Sequence, residues 1–340
     1  MTAASPADPL PPNQPNPPNP SSAANPPSAA GEPHPEAGRG ALFGLTAYLL
    51  WGFFPLYFHA LGPSGPLEVL AHRILWSLLF CLVVLLIGRR WAWLRPLLAR
   101  RKLLVGLTVA ALVLAVNWGV YVGAVMAGHT SEAALGYFLN PLLTVALGVV
   151  ILGEPLRRLQ WVAVAIGAVA AAYLTIVGGK VPWIALTLAA SFALYGLIKK
   201  RVGASLPALH GLTVETAALF PVALVLLWLV GQGADLASTA GQQVSGATFL
   251  GFGGWHTTLL VLTGPVTAVP LLLFASAARR VPLVTIGLLQ FITPVMQLLC
   301  SLILGETITP ARWVGFAIVW VALAVLSVDS LRARGARPLA

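Results

Sequence analysis

Residues 140–161 read NPLLTVALGVVILGEPLRRLQW, and residues 293–313 read TPVMQLLCSLILGETITPARW. Each stretch opens on a polar residue and a proline, Asn140-Pro141 or Thr293-Pro294, and runs through apolar sequence to a Leu-Gly-Glu turn at 152–154 or 304–306. A tryptophan follows seven residues after each glutamate, Trp161 and Trp313, and a glycine stands a few residues ahead of each stretch, Gly136 and Gly287. Farther out, AYLLWG at 47–52 aligns loosely with SFALYG at 191–196. The chain is thus built twice from one pattern.

Counting outward from these turns gives ten apolar runs of spanning length, because a hydrocarbon core of about 30 Å takes about 20 residues of helix. The predicted spans are Leu42 to Leu61, Leu67 to Ile87, Leu103 to Met126, Glu132 to Leu152, Leu156 to Val177, Pro182 to Ile198, Leu209 to Val230, His256 to Ala277, Pro282 to Leu304 and Ala311 to Val328. Five spans separate equivalent points, so the two Leu-Gly-Glu turns face opposite sides of the bilayer. The expected fold is an all-α polytopic membrane protein of ten transmembrane helices, arranged as two inverted five-helix repeats over 41–178 and 179–330. A Pro/Asn/Ala-rich tail over 1–40 precedes them, and a basic end over 331–340 follows.

Lys and Arg give the orientation, since cytoplasmic loops keep an excess of them. With both termini inside, 17 of the 20 basic residues fall in cytoplasmic segments, from Arg39 and the run Arg89 to Lys102 through to Arg332, Arg334 and Arg337. Lys180 and Arg312 fall outside, and Arg73 lies within a helix. One span missed or invented would scramble this alternation from that point on.

Composition agrees. Hydrophobic residues make up 58% of the chain and charged residues 9%, against about 45–50% and 25% in soluble domains. No polar shell can be drawn from so few charges. The net charge of +10 sits in clusters between apolar runs, without the basic stripe of a nucleic-acid-binding face. Cys81 and Cys300 lie deep in apolar runs and read as small core residues. The amino-terminal tail lacks the basic start and short apolar core of a signal peptide, and its composition predicts disorder.

Several polar-bearing segments resemble a known family: EVLAHRILWS (68–77), SEAALGYFLNPL (131–142), YGLIKK (195–200), ETAALFP (215–221), VPLLL (269–273), GLLQFITP (287–294) and FAIVWVAL (316–323). The pattern, spanning Ala41 to Ser330, is similar to the EamA-type drug/metabolite transporter superfamily and within it the RarD family. Phe291 departs from it, since such proteins more often carry tyrosine there, and the tail is an addition. The resemblance implies ten helices, an inner-membrane location and transport of small organic molecules.

Polar groups inside a bilayer are costly, a central charged residue by about 2.5–3.5 kcal/mol on insertion scales, so each marks a functional candidate. In the second span Glu68, His72, Arg73 and Trp76 fall on adjoining angles of one helix face. The structural alternative places Glu68 at a helix amino end, where the dipole favours an anion, with Arg73 snorkelling outward. Glu215 in the seventh span aligns with Arg73, so inverted halves would bring the two to matching depths, as parts of a pathway or as a buried ion pair. Asn117, Trp118, Tyr121, Tyr137, Asn140 and Gln290 offer uncharged polar and aromatic surface for an amphipathic ligand, or else interhelical contacts. Gly119 and Gly123 read as helix packing, and Pro141, Pro221, Pro270 and Pro294 as hinges that interrupt helices. Glu154 and Glu306, each after a helix-ending glycine, read as caps.

These features favour a secondary transporter that works by alternating access, with a small organic molecule as its partner in the bilayer and no cofactor. The sequence holds no G-x-x-x-x-G-K-[ST] loop, so energy would come from a gradient, with Glu132, Glu215 and His72 as titratable candidates for proton coupling. An intramembrane enzyme is the competing class. Zinc proteases need H-E-x-x-H, which is absent, and Gly62-Pro63-Ser64-Gly65, which formally matches a serine-protease G-x-S-G, reads as a turn. A substrate-free scaffold or sensor is a third class.

Overall fold

The computed structural model describes residues 35–89, 91–152, 157–179, 181–202, 206–233, 246–278, 280–281 and 289–335. Every regular element among them is α-helix: α1 (Pro35–Gly52), α2 (Phe54–His59), α3 (Pro66–Ile87), α4 (Leu94–Leu98), α5 (Arg101–Met126), α6 (Thr130–Leu152), α7 (Arg158–Gly178), α8 (Trp183–Val202), α9 (Ala208–Gly231), α10 (Gly253–Ala278), α11 (Ile292–Ile303) and α12 (Pro310–Gly335). Among the described residues, seven segments are long and apolar enough to cross a membrane, the first combining α1 and α2 over Gly38–His59. Trp183–Lys199 and Ile292–Ile303 are shorter apolar helices. The tail to residue 34, Glu154 and residues 282–288 lie outside the described residues. Helix α1 begins at Pro35, within the stretch read as tail.

The outside of the bundle is apolar. Ile87, Val150 and Ile176 are each more than three-quarters exposed, while Glu68, Asn117 and Glu215 are almost completely buried. That inversion suits a protein whose solvent is lipid.

Helix α3 is central, packing on α5, α9 and α10; α8 packs on α5 and α6, α1 on α10 and α11, α6 on α11, and α7 on α12. Glycine is required at two close approaches in the bundle. A Cβ on Gly264 would stand 2.4 Å from the Trp76 backbone, so α10 lies directly against α3 there. A Cβ on Gly136 would meet the Ala185 backbone at 2.8 Å, which fixes α6 on α8. The expected packing glycines differ: a Cβ on Gly119 would meet Leu70 at 3.3 Å, but Gly123 faces open space.

Most of the prolines expected to interrupt helices lie within continuous ones. Helices α6 and α9 run through Pro141 and Pro221, and α10 runs through both Pro265 and Pro270. Pro294 falls in the first turn of α11, where its missing N–H would have no intrahelical partner anyway. The actual break separates α1 from α2, with Pro55 at the start of α2. Pro55 cannot bond the Trp51 carbonyl four residues back. That carbonyl instead accepts from Gln297 Nε2 at 3.4 Å, the Gly52 carbonyl meets Cys300 Sγ at 3.5 Å, and the Tyr48 carbonyl accepts from Thr293 Oγ1 at 2.8 Å. Residues 293, 297 and 300 share one face of α11.

Candidate functional site

Seven residues into α3, about 10 Å along the helix from its amino end, Arg73 points into the bundle and is 4% exposed. Its guanidinium lies over the Trp118 ring at 4.3 Å, with the Phe54 and Phe58 rings at 5.4 and 5.6 Å. Nε donates to Thr267 Oγ1 at 2.8 Å. Tyr57, Tyr121 and Tyr137 stand within electrostatic reach of the charge. Among the described residues no carboxylate pairs with it. Desolvated cation–π contacts of this kind contribute about 2 kcal/mol, which offsets part of the cost of carrying the charge into the bilayer. Snorkelling does not occur.

Around the cation the tyrosines are ordered by neighbours. Tyr121 and Tyr137 pack edge to face at 5.5 Å, and Phe58 packs on Tyr121 at 5.9 Å. The Tyr137 hydroxyl donates to Asn117 Oδ1 at 3.3 Å, while Asn117 Nδ2 reaches the Leu188 carbonyl and Ser191 Oγ, both at 3.0 Å. Asn117 therefore ties α5 to α6 and α8.

Glu68, His72 and Trp76 belong to a second cluster on another side of α3. The fully buried Glu68 accepts from Thr248 N–H at 2.7 Å, Phe249 N–H at 3.0 Å and Thr248 Oγ1 at 2.8 Å. His72 Nδ1 accepts from Trp76 Nε1 at 3.0 Å, so neutral His72 carries its proton on Nε2, 3.8 Å from Glu68 Oε1. Ser64 Oγ lies 2.6 Å from Thr248 Oγ1 and 2.9 Å from His256 Nε2. This serine–histidine contact lies in the turn after α2 with its hydroxyl wholly enclosed, and its bonds fasten that turn to the start of α10.

Of the other sequence candidates, Glu215, Glu132 and Asn140 have partners other than Arg73. Glu215 pairs with Lys199 Nζ at 2.5 Å and accepts from the Tyr195 hydroxyl at 3.2 Å, so its countercharge is Lys199. Glu132, in the first turn of α6, lies 3.9 Å from Arg312. Asn140 Oδ1 accepts from Thr144 Oγ1 at 3.3 Å, and Gln290 is half-buried in the turn before α11. Glu306 caps a different helix from the expected one, accepting from Ser131 N–H and Ser131 Oγ, both at 2.9 Å, at the start of α6. Burial raises its pKa above the ordinary 4.5, and the Ser131 bonds oppose that rise.

Thr267 and Tyr57 complete the Arg73 surroundings, Gln297 lies beside Tyr121, and the three were not named as candidates from sequence. Gln297 carried a signal, being a glutamine inside the apolar run TPVMQLLCSLI two helical turns from Gln290. Thr267 and Tyr57 carried none, because a lone hydroxyl is cheap to bury wherever a helix carbonyl accepts it.

Residues 38–176 match the EamA-like transporter family. A relative from Streptomyces exfoliatus named Protein RarD is 49% identical over 300 residues, covering 87% of this chain and 90% of that protein. An uncharacterized transporter of Pseudomonas aeruginosa is 42% identical over 295 residues, covering 86% and 95%. One crystal structure, 19% identical with a TM-score of 0.53, covers 87% of this chain and 99% of its own and attests the fold alone.

Proposed function

The chain belongs to the EamA-like transporter family and to its RarD group, and from that membership we propose that it is a secondary transporter of small amphipathic organic molecules. It is a multi-pass membrane protein; the inner membrane is the location this reading gives it. The observation that carries the reading is the buried cation of Arg73, enclosed by aromatic rings of α2 and α5 and by Thr267 of α10. A purely structural interior has little reason to retain so costly a group.

In this reading ten spans form two inverted halves over 41–178 and 179–330, with both termini in the cytoplasm. Helix pairings support it. If α1, α3, α5, α6 and α7 correspond to α8, α9, α10, α11 and α12, then α5 on α8 mirrors α10 on α1, α6 on α8 mirrors α11 on α1, and α10 on α3 mirrors α5 on α9. The pairs α3 with α9, α6 with α11 and α7 with α12 are then their own mirrors. Substrate would pass between the halves along Arg73, Trp118, Tyr121 and Tyr137, with alternating access from the rocking of one half on the other. His72, Glu132 and Glu215 are the groups through which a proton gradient would act.

Uptake of labelled compounds into proteoliposomes, with and without an imposed pH gradient, tests the reading. Saturable uptake that exceeds empty vesicles supports transport, and a response to the gradient supports proton coupling. Uptake no faster than in empty vesicles across amphipathic acids, bases and neutral compounds would overturn it.

A further inference from the structure

Resting on the transporter reading, we infer that Arg73 anchors the anionic end of its substrate, and that the substrate class is small organic acids bearing a carboxylate on an aromatic or apolar body. The guanidinium has five N–H donors. Nε is taken by Thr267 and the flat face is covered by Trp118, but buried Nη1 has no hydrogen-bond partner among the described residues. The Tyr121 hydroxyl and Gln297 Oε1 are likewise buried without a well-formed hydrogen bond, although the two side chains lie side by side. Tyr121 is also within electrostatic reach of Arg73.

Buried polar atoms left without a well-formed hydrogen bond form an arrangement that folding alone does not favour, since each costs about 1–3 kcal/mol. Two other buried charges among the described residues are satisfied: Glu215 has Lys199, and Glu68 has two backbone N–H groups and a hydroxyl. Arg73 is the exception among these. A guanidinium edge presents parallel N–H groups that match the two oxygens of a carboxylate, and the Tyr121 hydroxyl can donate a further bond. Phe54, Phe58 and Trp118 leave the remainder of the surroundings apolar and aromatic, which suits an acid with a ring or short hydrocarbon body.

The test is equilibrium dialysis of radiolabelled benzoate against the full chain in lipid nanodiscs, with empty nanodiscs as the baseline. Saturable binding is expected, competed by unlabelled benzoate but not by benzamide, its neutral isostere, and only weakly by phenyl phosphate. Arg73→Gln should weaken binding by about 10- to 100-fold, the scale of one charge-assisted contact, while leaving the ligand-free chain as heat-stable as the parent or more so. Where Arg73→Gln does not fold, Tyr121→Phe decides: several-fold weaker binding supports the site, and unchanged binding overturns it. Equal competition by benzamide, a preference for phenyl phosphate, or no saturable binding would each overturn the assignment. Absence of benzoate binding alongside proteoliposome transport of neutral compounds sinks this inference alone. Benzoate binding without transport of any compound sinks the transporter reading and leaves the site standing.

Discussion

The Arg73 guanidinium lies flat over the Trp118 ring at 4.3 Å, so a cation on α3 finds its partner in an aromatic ring of α5. Glu215, the acid that alignment of the two halves sets against it, is 2.5 Å from Lys199. The two charges therefore answer to different neighbours, and exchanging residues separates them.

Exchanging both charges of the true pair, Lys199→Glu with Glu215→Lys, should recover most of the stability that either single change removes. The same exchange between Arg73 and Glu215 should recover none. Lys199→Ala leaves Glu215 buried and unpaired, an effect of about 1–3 kcal/mol. Thermal denaturation of the detergent-solubilised protein reads every variant.

At the seam of α3 and α10, Gly264→Val drives side-chain atoms into the Trp76 backbone, and overpacking of that kind costs about 1–3 kcal/mol. It should also pull Thr267 away from Arg73. Gly123→Ala enters open space on a helix and should stabilise by about 0.5–1 kcal/mol. Melting temperatures moving in the same direction for both would contradict the described packing.

A double-mutant cycle probes the break after α1. Gln297→Leu strands the Trp51 carbonyl and should cost about 1 kcal/mol. In a Pro55→Ala background residue 55 can donate to that carbonyl itself, so the same change should cost little. Equal costs in both backgrounds would show that Pro55 and Gln297 are uncoupled.

For Glu306 the sign follows from its raised pKa. The folded state holds this proton more tightly than the unfolded state, so ionisation weakens folding as pH rises. The parent should therefore gain stability relative to Glu306→Gln as pH falls from the raised value toward the ordinary 4.5. A parent that loses stability relative to the variant over that window would show that the Ser131 bonds outweigh burial.

Topology is open to labelling. Cysteines added near each terminus should react from the cytoplasmic side only, and one added beside Arg312 from the outer side only. Native Cys81 and Cys300 are buried and should give little background. Termini on opposite sides would remove the inverted repeat.

Much of the architecture was legible because lipid imposes a simple rule on sequence. Apolar runs, basic loops and the Leu-Gly-Glu turns at 152–154 and 304–306 carry the helical class and membrane character, since each helix must satisfy its own backbone and turn apolar side chains outward. The same rule made Glu68, Arg73 and Glu215 conspicuous. Partnership was not legible. Glu68 meets Thr248 from 180 residues away, Arg73 meets Thr267 from 194 residues away, and Glu306 meets Ser131 from 175 residues away. Periodicity specifies which face of a helix a residue occupies, but not which helix turns toward that face. Only the assembled bundle decided that Arg73 would sit between Trp118 and Thr267 with Nη1 unbonded, because that depends on how closely α10 can approach α3 at Gly264.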